Sequence, residues 1–345
     1  MKKVLVTGGA GFIGSNFIRH LLNRYDYEIV NLDKLTYAGN LENLRDVEGD
    51  PRYRFVHGDI CDPEAVSAAI EGAWAVVNLA AETHVDRSLM DVKPFIDTDI
   101  HGAFVVLQAA LREGVERFLH VSTDEVYGPR YPHAPARETD PLTPANPYAA
   151  CKAGGEQQCL SFCRAYGLPV VVSRSANNIG PYQHVEKFVP LFVTNALDGL
   201  PLPIYGEGLQ VRDRLFVEDN CEALDILLHK GVPGEAYNVG SDNERTNLEV
   251  AETILALLEK PRSLIRFVED RAAHDARYSM DTSKVRALGW QPKFDYEAAM
   301  ERTVAWYRDN RAWWERVKSG EYAEYYKRQY KRRLQRGRPL EPGGG

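Results

Sequence analysis

An eight-residue run, Thr7-Gly8-Gly9-Ala10-Gly11-Phe12-Ile13-Gly14, restricts the fold of this chain more than any other segment. It follows an apolar stretch at 3–7 and opens a pattern at 12–23, where Phe12, Ile13, Phe17, Ile18, Leu21 and Leu22 recur at helical spacing. Glycines spaced GxxGxxG between a strand and a helix are what a dinucleotide-binding βαβ crevice requires. Gly8 permits the tight turn, Gly11 lets backbone approach a pyrophosphate, and Gly14 lets the helix pack on the strand. The N–H groups of the helix start, around Phe12 and Ile13, face the phosphates. Asp33 stands 19 residues beyond Gly14, at the end of the next strand. A carboxylate there accepts both ribose hydroxyls of NAD and repels the extra phosphate of NADP. NAD is therefore the expected cofactor. Asp59, after a third strand, is placed to face the adenine, and the small pair Ala80-Ala81 leaves room for backbone contact.

The rest of the first half repeats this rhythm. Strands are expected at 28–32, 53–57, 74–79, 117–122 and 169–173, and helices near 63–71, 95–113 and 147–166. Such alternation predicts an α/β fold with a doubly wound, mostly parallel Rossmann-like sheet. After about residue 180 the pattern loosens at Pro181, Pro190, Pro201 and Pro203, and 180–210 reads as loop, short helix and loop. Short strands at 214–217 and 235–239 and helices at 248–259 and 295–309 follow. The expected organisation is a cofactor domain at 1–180, receiving interleaved segments near 211–230, and a smaller mixed lobe at 181–330. Residues 331–345 read as a flexible tail.

Bulk properties exclude other classes. A net charge of −7 gives no reason to expect a nucleic-acid partner, and no apolar run is long enough to span a membrane. Five cysteines without a CxxC pair favour neither a disulfide framework nor a zinc cluster, so no metal is expected. Without a signal-peptide pattern, the cytoplasm is the expected compartment. The basic stretch at 327–338 reads as a solvated terminal segment, and Tyr322, Tyr325 and Tyr326 before it as helix packing.

The second chemical cluster is Thr123-Asp124-Glu125 at a strand end, with Tyr148 and Lys152 four apart on one helix face. A free tyrosine has a pKa of about 10, and a nearby ammonium with a cationic nicotinamide favours its phenolate. Tyr148 then takes a hydroxyl proton as hydride leaves the same carbon, while Lys152 also holds the nicotinamide ribose. Thr123 bonds the substrate hydroxyl. Plain alcohol oxidation has no use for two adjacent acids, and this combination points to redox, loss of water and redox back.

These residues carry a resemblance. Over at least 3–310 the chain resembles the extended short-chain dehydrogenase/reductase family, and within it the dTDP-glucose 4,6-dehydratase subfamily over nearly its whole length. The matching segments are Asp33-Lys34-Leu35-Thr36-Tyr37-Ala38-Gly39-Asn40, His84-Val85-Asp86-Arg87-Ser88, Ser122 to Gly128, Asn177-Asn178 with Gly180-Pro181-Tyr182-Gln183 and Glu186-Lys187, Arg212-Asp213 with Val217-Glu218-Asp219, and His274-Asp275 with Arg277-Tyr278. The resemblance implies that Glu125 takes a proton from C5 and Asp124 protonates the departing C6 hydroxyl, giving a 4-keto-6-deoxy sugar. It adds Lys34, Thr36 and Ile60 to the cofactor set. For dTDP-glucose or a close nucleotide-hexose it implies Arg212 and Arg271 at the diphosphate, Asn247 at the nucleotide, Pro203 and Tyr205 at the base or its ribose, and His274 at the diphosphate end. His84 and Ser88 would line the sugar pocket, with Asn177, Glu186 and Lys187 as further contacts. A homodimer through helices including 95–113 and 147–166 is also implied.

The chain departs from the subfamily at Asp99 for a common Asn, Cys151 for Ser, Ile179 for Tyr, and Ala272-Ala273 for Pro-Gly. A UDP-glucose 4,6-dehydratase, or an NAD-dependent epimerase or decarboxylase, is the alternative, and a non-enzymatic NAD sensor a third class. Epimerisation needs no acid for a C6 leaving group, which sets Asp124 and Glu125 against it.

Overall fold

The computed structural model describes residues 1–129, 134–271, 274–319 and 321–340. Ala272-Ala273 and the last five residues of the expected tail lie outside the described residues. The described residues form thirteen strands: β1 Lys2–Thr7, β2 Tyr27–Asp33, β3 Tyr53–His57, β4 Ala75–Asn78, β5 Arg117–Thr123, β6 Val170–Ser175, β7 Asn177–Ile179, β8 Leu202–Tyr205, β9 Val211–Phe216, β10 Ala236–Val239, β11 Glu244–Thr246, β12 Ile265–Val268 and β13 Arg338–Pro339.

Seven of them make one sheet in the order β10-β6-β5-β4-β1-β2-β3, every pair parallel. This is the doubly wound architecture expected, with its strand order reversing between β1 and β4, where ligands bind in such folds. β4 is buried along its whole length, as a sheet covered on both faces requires. Helices Phe12–Arg24, Val217–Lys230 and Ser283–Ala287 pack one apolar layer around Phe17, Leu21, Leu224 and Trp290. Helices Pro63–Ile70, Ala103–Glu113 and Pro147–Tyr166 pack the other around Val66, Val106, Phe118 and Leu160.

Two three-stranded mixed sheets, β11-β9-β7 and β13-β12-β8, belong to the smaller lobe, whose core includes Phe192, Ile254, Met300, Tyr307 and Trp314. β10 joins the large sheet. β9 does not: it pairs with β7 and β11, while the helix Val217–Lys230, with Leu215 of β9, packs on the cofactor domain. The proline-interrupted stretch holds a helix at Phe188–Leu197 and strand β8, which tolerates Pro203 because only β12 pairs with it.

Two other differences bear on the site. The helix expected at 95–113 is regular at Lys93–Phe95 and Ala103–Glu113 but π-wound over Ile96–Gly102, which contains Asp99. The expected tail is ordered as far as Leu340: the helix Glu321–Arg336 runs into it, and β13 pairs with β12. The helix is retained because Tyr322, Tyr325 and Tyr330 are buried in the lobe's core. No described helix is long and apolar enough to cross a membrane.

Phe118 is 1% exposed in the second apolar layer. Phe118→Ala is expected to lower unfolding free energy by about 3–5 kcal/mol, read as a lower urea midpoint at unchanged slope.

Candidate active site

The carboxyl ends of the parallel strands open into one cavity of about 390 Å³. Its walls carry Gly8, Gly11, Phe12, Ile13 and Gly14 after β1, Asp33, Lys34 and Thr36 after β2, Asp59 and Ile60 after β3, and Ala80-Ala81 after β4. Gly8 has φ +68°, and a Cβ there would sit 2.7 Å from the Ala80 Cα. A Cβ on Gly14 would lie 2.3 Å from the Gly8 carbonyl oxygen. Side chains are thus excluded at Gly8 and Gly14, and the Phe12–Arg24 helix begins beside the cavity with no side-chain cap on its N-terminus. The Asp33 carboxylate accepts from Ala10 N at 2.9 Å and Leu35 N at 2.8 Å, so it is fixed at the cavity wall with lone pairs to spare. Burial raises its pKa against those two bonds. Lys34 pairs with Asp59 at 3.3 Å. This cradle fits a dinucleotide.

Thr123, Glu125, Tyr148 and Lys152 line the same cavity. The last two come from the helix Pro147–Tyr166, which starts there because Asn146 caps it, accepting from Ala149 N, and Pro147 presets its first turn. The same cap also orients an acid, since Asn146 Nδ2 donates to Glu125 Oε2 at 3.0 Å. Tyr278 Oη stands 3.2 Å from Glu125 Oε2, but its one proton is shared with a closer acceptor, the Asp275 carboxylate. Thr123 accepts from Glu125 N, capping the turn that follows β5, and donates to Asp124 Oδ1 at 3.0 Å. Its hydroxyl is also close enough to Tyr148 to act on that phenol's proton affinity. Asp124 is buried and does not line the cavity. Burial, aided by Glu125 and opposed by Arg212, pushes its carboxyl up to about 7.

Lys152 has two protein partners. Its Nζ donates to the Val121 carbonyl at 2.7 Å and stands 3.6 Å from the buried Asp99, whose own pKa burial raises to about 7. Tyr148 is held well above its ordinary pKa by burial first, then by Glu125 and Asp99, with the Thr123 hydroxyl opposing. Burial and the acids around it therefore disfavour the phenolate.

The remaining wall is formed by His84, Asn177, Glu186, Lys187, Pro203, Tyr205, Arg212, Asn247, Arg271 and His274. Ser88 is not in it; its hydroxyl bonds back to Val85 O within its own helical turn. Burial lowers the pKa of Lys187, whose Nζ donates to Thr83 O. Burial alone would raise Glu186, but His84, His184, Lys187 and Arg87 outweigh it and hold the carboxyl at about 2. Arg271 is paired with Asp86 at 3.1 Å, and Arg212 donates to the Val211 and Asp275 carbonyls.

Arg214 completes this wall and was not singled out from sequence. Residues two apart on a strand share a face, so Arg212 and Arg214 on β9 point together while Asp213 turns away to bind Ser241, Asp242 and Asn243 N–H groups. Burial and Arg212 bring the Arg214 pKa down to about 10. Its Nε and that of Arg271 are buried without hydrogen-bond partners. Three guanidiniums in one wall, two with unmet donors, suit a multiply charged phosphate oxyanion. Glu82, Gln183 and Tyr330 also line the cavity and were likewise not foreseen as site residues.

The sequence profile of GDP-mannose 4,6 dehydratase matches residues 5–303. The chain belongs to that family. A dTDP-glucose 4,6-dehydratase of Escherichia coli is 44% identical over 93% of this chain and 98% of its own. One from Neisseria meningitidis serogroup B is 46% identical with the same coverage. Among solved structures, the family includes DesIV of Streptomyces venezuelae, a dTDP-glucose 4,6-dehydratase with NAD and TYD bound. It superposes with a TM-score of 0.90 at 46% identity, covering 92% of this chain and 100% of its own.

Arg214→Met is expected to weaken binding of pyrophosphate about tenfold or more, because a charge-assisted hydrogen bond contributes about 1.5–3 kcal/mol. Calorimetric titration, with unchanged thermal unfolding as the control, reads it directly.

Proposed function

We propose that this chain converts dTDP-glucose to dTDP-4-keto-6-deoxyglucose and water, with NAD as a cofactor restored in each turnover. The observation that carries the reading is the adjacent pair Asp124 and Glu125, buried beside Tyr148 at the end of β5. NAD, when bound, supplies the hydride acceptor for C4, the hydride donor for C6 and the ring charge that favours a Tyr148 phenolate. The Gly8–Gly14 turn and Asp33 would hold it, with Lys152 at the nicotinamide ribose. Tyr148 takes the C4 hydroxyl proton, and Thr123, beside it in the cavity wall, orients that hydroxyl. The resulting 4-ketone makes the C5 hydrogen acidic, and Glu125, oriented by Asn146, removes it. Asp124 turns from Thr123 and gives its proton to the C6 oxygen, which leaves as water. A proton then returns to C5.

The environments of the two acids support these roles. Burial and a like-charged neighbour raise the Asp124 carboxyl to about 7, so a proton is available on it near neutrality, while Glu125 lines the cavity and accepts from Asn146. Arg212, Arg214 and Arg271 suit the diphosphate, and Pro203 and Tyr205 the base. We also infer a homodimer through the helices 95–113 and 147–166, supported by the exposed apolar side chains Leu89, Met90, Val92 and Ile96 at the start of the first. Action in the cytoplasm completes the reading.

Incubation with dTDP-glucose should remove the mass of one water without net NAD consumption, and much faster than with UDP-glucose. Preference for UDP-glucose would change the substrate and keep the chemistry. Unchanged mass with inversion at C4 would replace the dehydratase with an epimerase. The pH profile gives a second prediction. Asp124 works protonated, so kcat/KM should fall about tenfold per pH unit above about 7, where its carboxyl ionises. Asp124→Asn should remove that limb and lower kcat by roughly 10²–10⁴.

A further inference from the structure

The helix Glu321–Arg336 presents Tyr322, Tyr325, Tyr326, Gln329, Tyr330 and Arg333 at alternating intervals of three and one, which places them on one helical face. Its basic residues Lys327, Arg328, Lys331 and Arg332 are exposed on the other. Tyr330 reaches the cavity wall and stacks on Tyr205, ring centroids 6.3 Å apart and planes 24° apart. Gln329 and Arg333 meet the same tyrosine at its hydroxyl. Tyr205 Oη donates to Asp86 Oδ2 at 2.9 Å and accepts from Gln329 Nε2 at 2.8 Å and Arg333 Nη1 at 2.9 Å. A phenol has one proton and two acceptor sites, so every hydrogen-bonding capacity of Tyr205 is filled. Gln329 Nε2 also donates to Asp86 at 2.9 Å, and Asp86 in turn holds Arg271. The C-terminal helix thus fixes both a ring and, through Asp86, a guanidinium of the cavity wall.

We propose that Gln329 and Arg333 are positioning residues for nucleotide recognition, holding Tyr205 as a rigid wall for the base, and that Tyr330 is a binding residue of that wall. This rests on the nucleotide-sugar reading above. The chemistry recognised is a pyrimidine nucleoside diphosphate, and the C-terminal helix contributes to capturing it without touching the reacting carbons. Pre-fixing a tyrosine removes the entropy that its ordering would otherwise cost on binding.

The test is calorimetric titration of the full chain with dTDP, alongside kcat and KM for dTDP-glucose. Arg333 is only partly buried, so Arg333→Gln and Arg333→Lys are the primary variants, with Gln329→Leu as a third. The expected result is a rise of about tenfold in Kd and KM for Arg333→Gln and Gln329→Leu, with kcat within about twofold and recovery in Arg333→Lys, which keeps a cationic donor. Unchanged dTDP affinity in Arg333→Gln and Gln329→Leu would overturn the inference and leave the helix a scaffold. So would a fall in kcat with unaltered dTDP affinity. If the unsubstituted chain bound no dTDP, the nucleotide-sugar reading itself would fail, a separate outcome.

Discussion

A lysine ammonium held in the protein interior organises the site. Lys152 is 4% exposed, and its Nζ lies between the Val121 carbonyl and the Asp99 carboxyl. Burying a charge is expensive unless it is paired and hydrogen-bonded, so these two partners fix where the helix Pro147–Tyr166 can sit. One joins it to β5 and the other to the π-wound stretch Ile96–Gly102. Tyr148, one turn earlier on the helix, is thereby set against Thr123, and Asn146, the helix cap, against Glu125. The helix register and the catalytic constellation are one constraint seen from two sides.

Burial, before any charge, keeps the tyrosine from being ionised by its own surroundings. With Asp99, Asp124 and Glu125 around it and the ammonium committed elsewhere, every anionic neighbour opposes a phenolate. In the proposed reaction this is an advantage of order. The acids stand ready for elimination before oxidation begins, and Tyr148 becomes a base only once a positive charge enters beside it. Asp124 and Glu125 then need only their different environments to take opposite roles. One is buried against Thr123; the other faces the cavity.

Features encoded over short stretches were legible in the sequence. The glycine turn, Asp33, the β-branched strands and the Tyr148–Lys152 spacing each depend on neighbours a few residues away, and the parallel sheet follows from their alternation. Contacts between distant segments were not. Neither the charge count nor the local spacing reveals that Lys152 faces Asp99, because that contact needs the π-wound turn. Arg214 was within reach of the strand period that made Arg212 a candidate. The tail misled for a physical reason: seven basic residues at 327–338 outweigh in composition the tyrosine face that anchors the helix, and only its periodicity distinguishes the two. Strands β7, β8, β11 and β12 are three or four residues long, too short to announce themselves without their partners.

Oxidation, loss of water and reduction on one sugar within one cavity are tested most directly by the fate of deuterium placed at C4 of dTDP-glucose, followed by NMR of the product. The expected result is a dehydrated 4-keto product carrying that deuterium at C6, transferred within the molecule. Deuterium retained at C4 of an inverted sugar, or a dehydrated product with none at C6, would contradict it.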